Sequence, residues 1–216
     1  MNASSSFSGM DETICALSTP PGTGAIAIIR LSGDRALDIL IKLFRPVNKS
    51  LKVADLKSHT ITLGMFGQGN ENIDEVLVSL FRAPHSYTGE DVVEISCHGS
   101  LFIQQKILET LTRSGARLAR AGEFTLRAFL NHKFDLTQAE AVADLIASNS
   151  RSAHDLALSQ MRGGFAVRIK SLRRQLVDLA SLLELELDFS EEDVELADRG
   201  KLTDTISNLE NELSQL

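Results

Sequence analysis

Five polar side chains stand where the surrounding sequence is apolar. They are Arg30 at the end of the run 25–31, Glu94 between Val93 and Ile95, His98 at the start of a helix, and Asn131 and Lys133 within the stretch 122–146. Such groups are costly to bury unless they are paired or bound to a ligand. Taken singly, each has an ordinary structural explanation: Arg30 and Glu94 as an internal ion pair, His98 as a helix cap, Lys133 as an exposed cation. Other chemistry has no carrier here, because no Ser/His/Asp order, metal-ligand spacing or GxxxxGK[ST] loop is present. Gly22-x-Gly24-x-x-Ala27 superficially matches a dinucleotide fingerprint, but it leads into a strand, whereas that motif needs a glycine turn between a strand and a helix.

The elements that must position these residues follow from periodicity. Residues 13–18 and 25–31 read as strands joined by the rigid turn Thr19-Pro20-Pro21-Gly22-Thr23-Gly24, and a helix over 35–44 follows, with caps offered by Ser32-Gly33-Asp34 and a stop at Pro46. Strands are predicted over 59–66 and 73–81, where Ile61, Leu63 and Met65, then Val76, Val78 and Leu80, alternate. The polar loop 82–91 contains the chain's one tyrosine, Tyr87, and reads either as a connector or as a functional loop. A strand over 92–97 runs through His98-Gly99-Ser100 into a helix over 101–113, whose N-terminus favours anions, and a short strand covers 116–120. Interleaved strands and helices up to about residue 120 predict a compact α+β domain with a mixed sheet, followed by an all-α domain.

In the helical part, Thr137-Gln138-Ala139-Glu140 has the form of a capping box ahead of the face Ala139, Val142, Ala143 and Ile146. A longer apolar pattern runs from Ala153 to Leu187 with Gly163-Gly164 as a kink or packing contact. A basic stretch (Arg162, Arg168, Lys170, Arg173, Arg174) precedes an acidic one from Glu184 to Glu195, and both read most simply as solvated surface. Leu202, Ile206, Leu209, Leu213 and Leu216 form a coiled-coil-like seam that stops in mid-pattern, as if cut. The expected organisation is a disordered lead-in over 1–12, an α/β domain over 13–120 and the first part of a helical domain over 121–216.

Composition sets the limits. The net charge of −7 argues against nucleic-acid binding over the whole surface, although a local basic patch is compatible with it. Two separated cysteines, Cys15 and Cys97, fit a reducing compartment and give no metal site. With no secretory signal and no apolar run long enough to span a bilayer, a cytoplasmic protein is expected.

Three ordered motifs carry a resemblance. Thr19-Pro20-Pro21-Gly22-x-Gly24 with Ala27-Ile28-Ile29-Arg30-x-Ser32-Gly33 is the first, and Ser86-Tyr87-Thr88-Gly89-Glu90-Asp91-Val92-x-Glu94 with His98-Gly99 is the second. The third runs from Gly122-Glu123-Phe124-Thr125-x-Arg127 through Asn131-x-Lys133-x-Asp135-Leu136-Thr137-Gln138-Ala139-Glu140-Ala141. Together they resemble the MnmE (TrmE) family of tRNA-modification GTPases, with Ala121 standing where that family has proline.

The resemblance implies an N-terminal domain related to the tetrahydrofolate-binding domain of aminomethyltransferases, then a helical domain carrying a Ras-like G domain that needs magnesium and potassium. It implies a homodimer formed through the N-terminal domains, with 5-formyltetrahydrofolate near the interface. It also implies joint action with the flavin protein MnmG to place an aminomethyl-type group on carbon 5 of the tRNA wobble uridine. By motif position the folate contacts would be Arg30, Glu94 and Lys133, with His98 and Asn131 as further candidates. A carboxylate such as Glu94 can accept paired hydrogen bonds from a pterin edge, and the anionic glutamate tail suits Arg30 or Lys133. Without a P-loop, no GTP hydrolysis is expected of this sequence by itself. A free-standing folate-dependent one-carbon transferase and an inactive dimerisation scaffold are the alternative readings.

Overall fold

Alternation of buried and open positions builds one sheet from residues scattered over the first 118. In the computed structural model, which describes residues 11–69, 71–188 and 199–214, the chain forms two compact units, 1–135 and 136–216. The serine-rich lead-in up to residue 10 and the acidic residues Glu191, Glu192, Asp193 and Glu195 lie outside the described residues. The first unit carries strands β1 (Ile14–Leu17), β2 (Ile26–Ser32), β3 (Phe44–Pro46), β4 (Thr60–Phe66), β5 (Asp74–Phe81), β6 (Val92–His98) and β7 (Arg117–Leu118). Their spatial order is β3-β4-β5-β6-β2-β1-β7, antiparallel except for the β1–β7 pair. The sheet is therefore mixed, as expected for an α+β domain.

One face of this sheet is the core. Ala27, Ile29 and Leu31 on β2, Val76, Val78 and Leu80 on β5, and Val93, Ile95 and Cys97 on β6 are buried against helices α1 (Ala36–Leu43) and α2 (Leu101–Arg113). Their period of two places the intervening residues on the opposite face, where Ile61, Leu63 and Leu77 remain exposed beside Arg30 and Glu94. Cys15 and Cys97 sit at 0% and 4% exposure, and burial pushes both thiols up to about 11. Only about one thiol in a thousand is then ionised at pH 8, so a thiol reagent will label neither cysteine in the native protein and both in concentrated urea. Rapid native labelling would contradict this packing.

The structure differs from the sequence reading at the joins. Phe44 leaves the helix and pairs with Phe66, and Pro46 lies in the edge strand β3, where a missing N–H costs no ladder bond. Gly64 opposite it is required, since a Cβ there would run into the Phe44 ring and the Arg45 carbonyl. Helix α1 receives no cap from Ser32 or Asp34; instead the Arg35 N–H donates to Thr13 Oγ1 at 3.0 Å. Residues 121–135 stay with the first unit because helix α3 (Glu123–Leu130) is fastened to it by the buried side chains of Glu123 and Arg127.

The second unit is helical: α4 (Leu136–Ala147), α5 (Arg151–Met161), α6 (Gly164–Asp188) and α7 (Arg199–Ser214), each packed on the next. Helix α4 begins before Thr137, which therefore lies in its first turn and not at a cap. The long apolar pattern is two helices and not one kinked helix, because Gly163 adopts φ +77 and ends α5. The five basic residues between Arg162 and Arg174 are all exposed. Among the described residues no helix is long and apolar enough to cross a membrane.

Candidate functional site

Strands β2 and β6 are far apart in the chain but pair antiparallel, and their register sets Arg30 directly opposite Glu94, 64 residues later. Both side chains point to the face not covered by α1 and α2. Arg30 donates from Nε and Nη2 to one carboxylate oxygen, Glu94 Oε1, at 3.0 and 2.7 Å. Neither Glu94 Oε2 nor Arg30 Nη1 has a hydrogen-bond partner among the described residues. The pair is about three-quarters buried, at 23% and 25% exposure.

Aromatic rings enclose the guanidinium. Its carbon lies 5.0 Å from the centroid of Tyr87 and 5.5 Å from that of Phe124, within cation–π range. Tyr87 comes from the loop 82–91 and Phe124 from α3. The Tyr87 hydroxyl lies 2.9 Å from Thr125 Oγ1, and its ring meets Phe134 edge-on at 5.6 Å. The loop in turn is held by the residues that follow α3. Asn131 Nδ2 donates to Thr88 O at 2.7 Å, and Lys133 Nζ donates to Pro84 O at 2.9 Å. Gly89, at φ +80, lets this contact close, since a Cβ there would stand 3.0 Å from the Cβ of Asn131.

Arg30, Glu94, Asn131 and Lys133 are thus brought to one region, the first two directly and the others through the loop they hold. His98 is elsewhere: four residues along β6 from Glu94, roughly 13 Å away, with its ring 70% exposed. Its Nδ1 and backbone N–H meet the two carboxylate oxygens of Asp74, both at 2.8 Å, and it does not cap α2, where Ser100 occupies that position. Tyr87 and Phe124 were not singled out as site residues by sequence reasoning. Their signal was present in the functional-loop option for 82–91 and in the polar-aromatic mixture of 122–134.

An ionic lattice anchors α3, the helix that carries Phe124. Glu123 accepts from Arg117 Nη2 at 2.6 Å and from Arg127 Nη2 at 3.2 Å, and takes the Arg120 N–H at 2.7 Å. These donors, the Arg117 hydrogen bond foremost, hold its carboxyl down at about 2, and the hydrogen bond to Glu123, with that to Glu12, raises Arg117 above its ordinary value.

This arrangement can hold a planar, polar ligand: one carboxylate oxygen and the Arg30 Nη1 amino group stand unpaired beside aromatic rings, with a lysine ammonium at the loop. Comparison with known proteins identifies the family. The family profile for the GTP-binding protein TrmE N-terminus matches residues 13–133, and that for the MnmE helical domain matches residues 136–216. The tRNA modification GTPase MnmE of Christiangramia forsetii is 55% identical over 207 residues, covering 96% of this chain and 44% of that protein. Those of Flavobacterium psychrophilum and Bacteroides thetaiotaomicron are 53% and 54% identical over 205 residues, each covering 95% of this chain and 44% of the relative. The chain spans less than half the length of these relatives, and it belongs to the MnmE (TrmE) family of tRNA modification GTPases.

Proposed function

We propose that this chain is the folate-binding and dimerising part of a tRNA-modifying GTPase, and that its ligand is 5-formyltetrahydrofolate. The observation that carries the reading is the Arg30–Glu94 pair under Tyr87 and Phe124. Glu94 Oε2 accepts from the amino-pyrimidinone edge of the pterin, Arg30 holds that carboxylate in orientation, and the aromatic side chains exclude water from the ring. Lys133, whose ammonium donates to the Pro84 carbonyl on the loop, attracts the anionic glutamate tail. When bound, the folate supplies a one-carbon unit.

The homodimer is assigned to the open sheet face, where Ile61, Leu63 and Leu77 are exposed at 68%, 44% and 44%. GTP, Mg2+ and K+ are handled by the remaining length of the intact protein, since this sequence contains no GxxxxGK[ST] loop. MnmG and tRNA are partners of that intact protein, which acts in the cytoplasm on carbon 5 of the wobble uridine.

Calorimetric titration with 5-formyltetrahydrofolate tests the reading. Saturable binding is expected, and Glu94→Ala should weaken it at least about tenfold, the value of one charge-assisted hydrogen bond. No binding at high micromolar ligand would leave only a scaffold, and unchanged affinity in the variant would remove the pterin-edge assignment.

A further inference from the structure

Three separate pieces of chain build the recess: β2 with Arg30, the loop with Tyr87, and α3 with Phe124. They meet at one contact. Glu90, on the loop, accepts from Ser32 Oγ at 2.7 Å, and Ser32 lies two residues beyond Arg30 on the same strand and face. The same carboxylate accepts from Arg127 Nη1 at 3.0 and 3.1 Å, and Arg127 lies three residues beyond Phe124, on the same side of α3. Thr88 is fully buried beside them, with its hydroxyl 2.7 Å from Ser32 Oγ. Arg127 Nη2 completes the junction with Glu12 O at 2.7 Å and Glu123.

Arg127 is 2% exposed, the largest fully buried side chain of the described residues, and its Nε has no partner. A guanidinium taken out of water with one N–H left unpaired is a poor source of net stability, because desolvation offsets much of the ion-pair gain. What it does supply is direction: four N–H groups in a rigid plane fix the angle between loop and helix. A cavity of about 360 Å³ beside the loop is lined by Glu90, Arg127, Asn131 and Gly89, so little apolar packing backs the loop on that side.

We infer that Arg127 and Glu90 are positioning residues of the ligand recess: their ion pair sets Tyr87 and Phe124 against Arg30 without touching the ligand. The inference rests on the folate reading for its ligand but not for its geometry. Tyr87 is the one tyrosine of a chain without tryptophan, so intrinsic emission and its quenching by iodide report on this loop alone.

The test compares Glu90→Gln and Arg127→Lys with Ile107→Val, a core change in α2 remote from the loop, at matched stability loss. Both lattice variants should make Tyr87 more accessible to iodide and raise the Kd for 5-formyltetrahydrofolate about tenfold, with helix content unchanged and the control unaffected. Quenching and Kd that move no further than in the control would overturn the inference. If Arg127→Lys does not fold, Glu90→Gln decides it. If the unmodified protein fails to bind the folate, the ligand assignment falls, and Tyr87 quenching alone decides whether the pair holds the loop.

Discussion

Replacing Glu123 by alanine will destabilise the first unit by ~2–3 kcal/mol, the cost of removing one of the two carboxylates that Arg117 and Arg127 each hold. Glu123 is 6% exposed and stands between Arg117 and Arg127, with a further bond to the Arg120 N–H. Its loss leaves Arg127 with Glu90 as its one carboxylate partner and takes the acceptor from the Arg120 N–H just ahead of α3, a helix whose N-cap is a glycine with no side chain to offer. The effect has a pH signature. The folded carboxyl lies at about 2 against 4.5 in its unperturbed state, so its contribution is fully present above pH 4.5 and is lost as the pH falls toward 2. Urea unfolding should show the unmodified protein weakening over that window more steeply than Glu123→Gln. A loss below about 1 kcal/mol at pH 7 would mean that the lattice is replaced by water at no cost.

Much of this fold was legible because alternation survives in the individual strands. Val76, Val78 and Leu80 alternate without interruption, and the helix over 101–113 begins and ends where its periodicity does. Arg30 and Glu94 stood out for the complementary reason, as charges inside apolar strands. Their ion pair was one reading of the two charges, and the structure bears it out; the register that sets them opposite was not legible, because it depends on β2 pairing with β6 across 64 residues, which no local pattern encodes. Helix α3 has eight residues and begins at Gly122 with φ +72, so it offers neither a cap signal nor enough periods to register. For Asn131 and Lys133 the residue type was informative and the target was not, since both side chains reach loop carbonyls that come from more than forty residues earlier. His98 illustrates the opposite case. Its position next to a helix start suggested a cap, whereas the β5–β6 pairing brings Asp74 to it.

Leu63→Lys combined with Leu77→Lys will convert the proposed dimer into a monomer, and affinity for the proposed folate ligand will fall with it. The two leucines are direct cross-strand partners on the face opposite α1 and α2, and both are exposed. The next row across the same face runs Ile61, Ser79, Glu94, Arg30, so the exposed apolar patch is continuous with the ion pair. Strands lie about 4.8 Å apart, which puts Glu94 within roughly 10 Å of Ile61. A second copy seated on the leucines would therefore also cover part of the recess and dry the Arg30–Glu94 pair, strengthening its hold on a ligand edge. Two lysines at the centre of such a face bring like charges together and leave them desolvated, a cost of several kcal/mol in association. Light scattering should report twice 23.6 kDa for the unmodified chain and 23.6 kDa for the variant, with the Kd for 5-formyltetrahydrofolate rising in the same variant. A variant that stays dimeric would move the interface off this face, and a monomer with unchanged folate affinity would separate the ligand site from the interface.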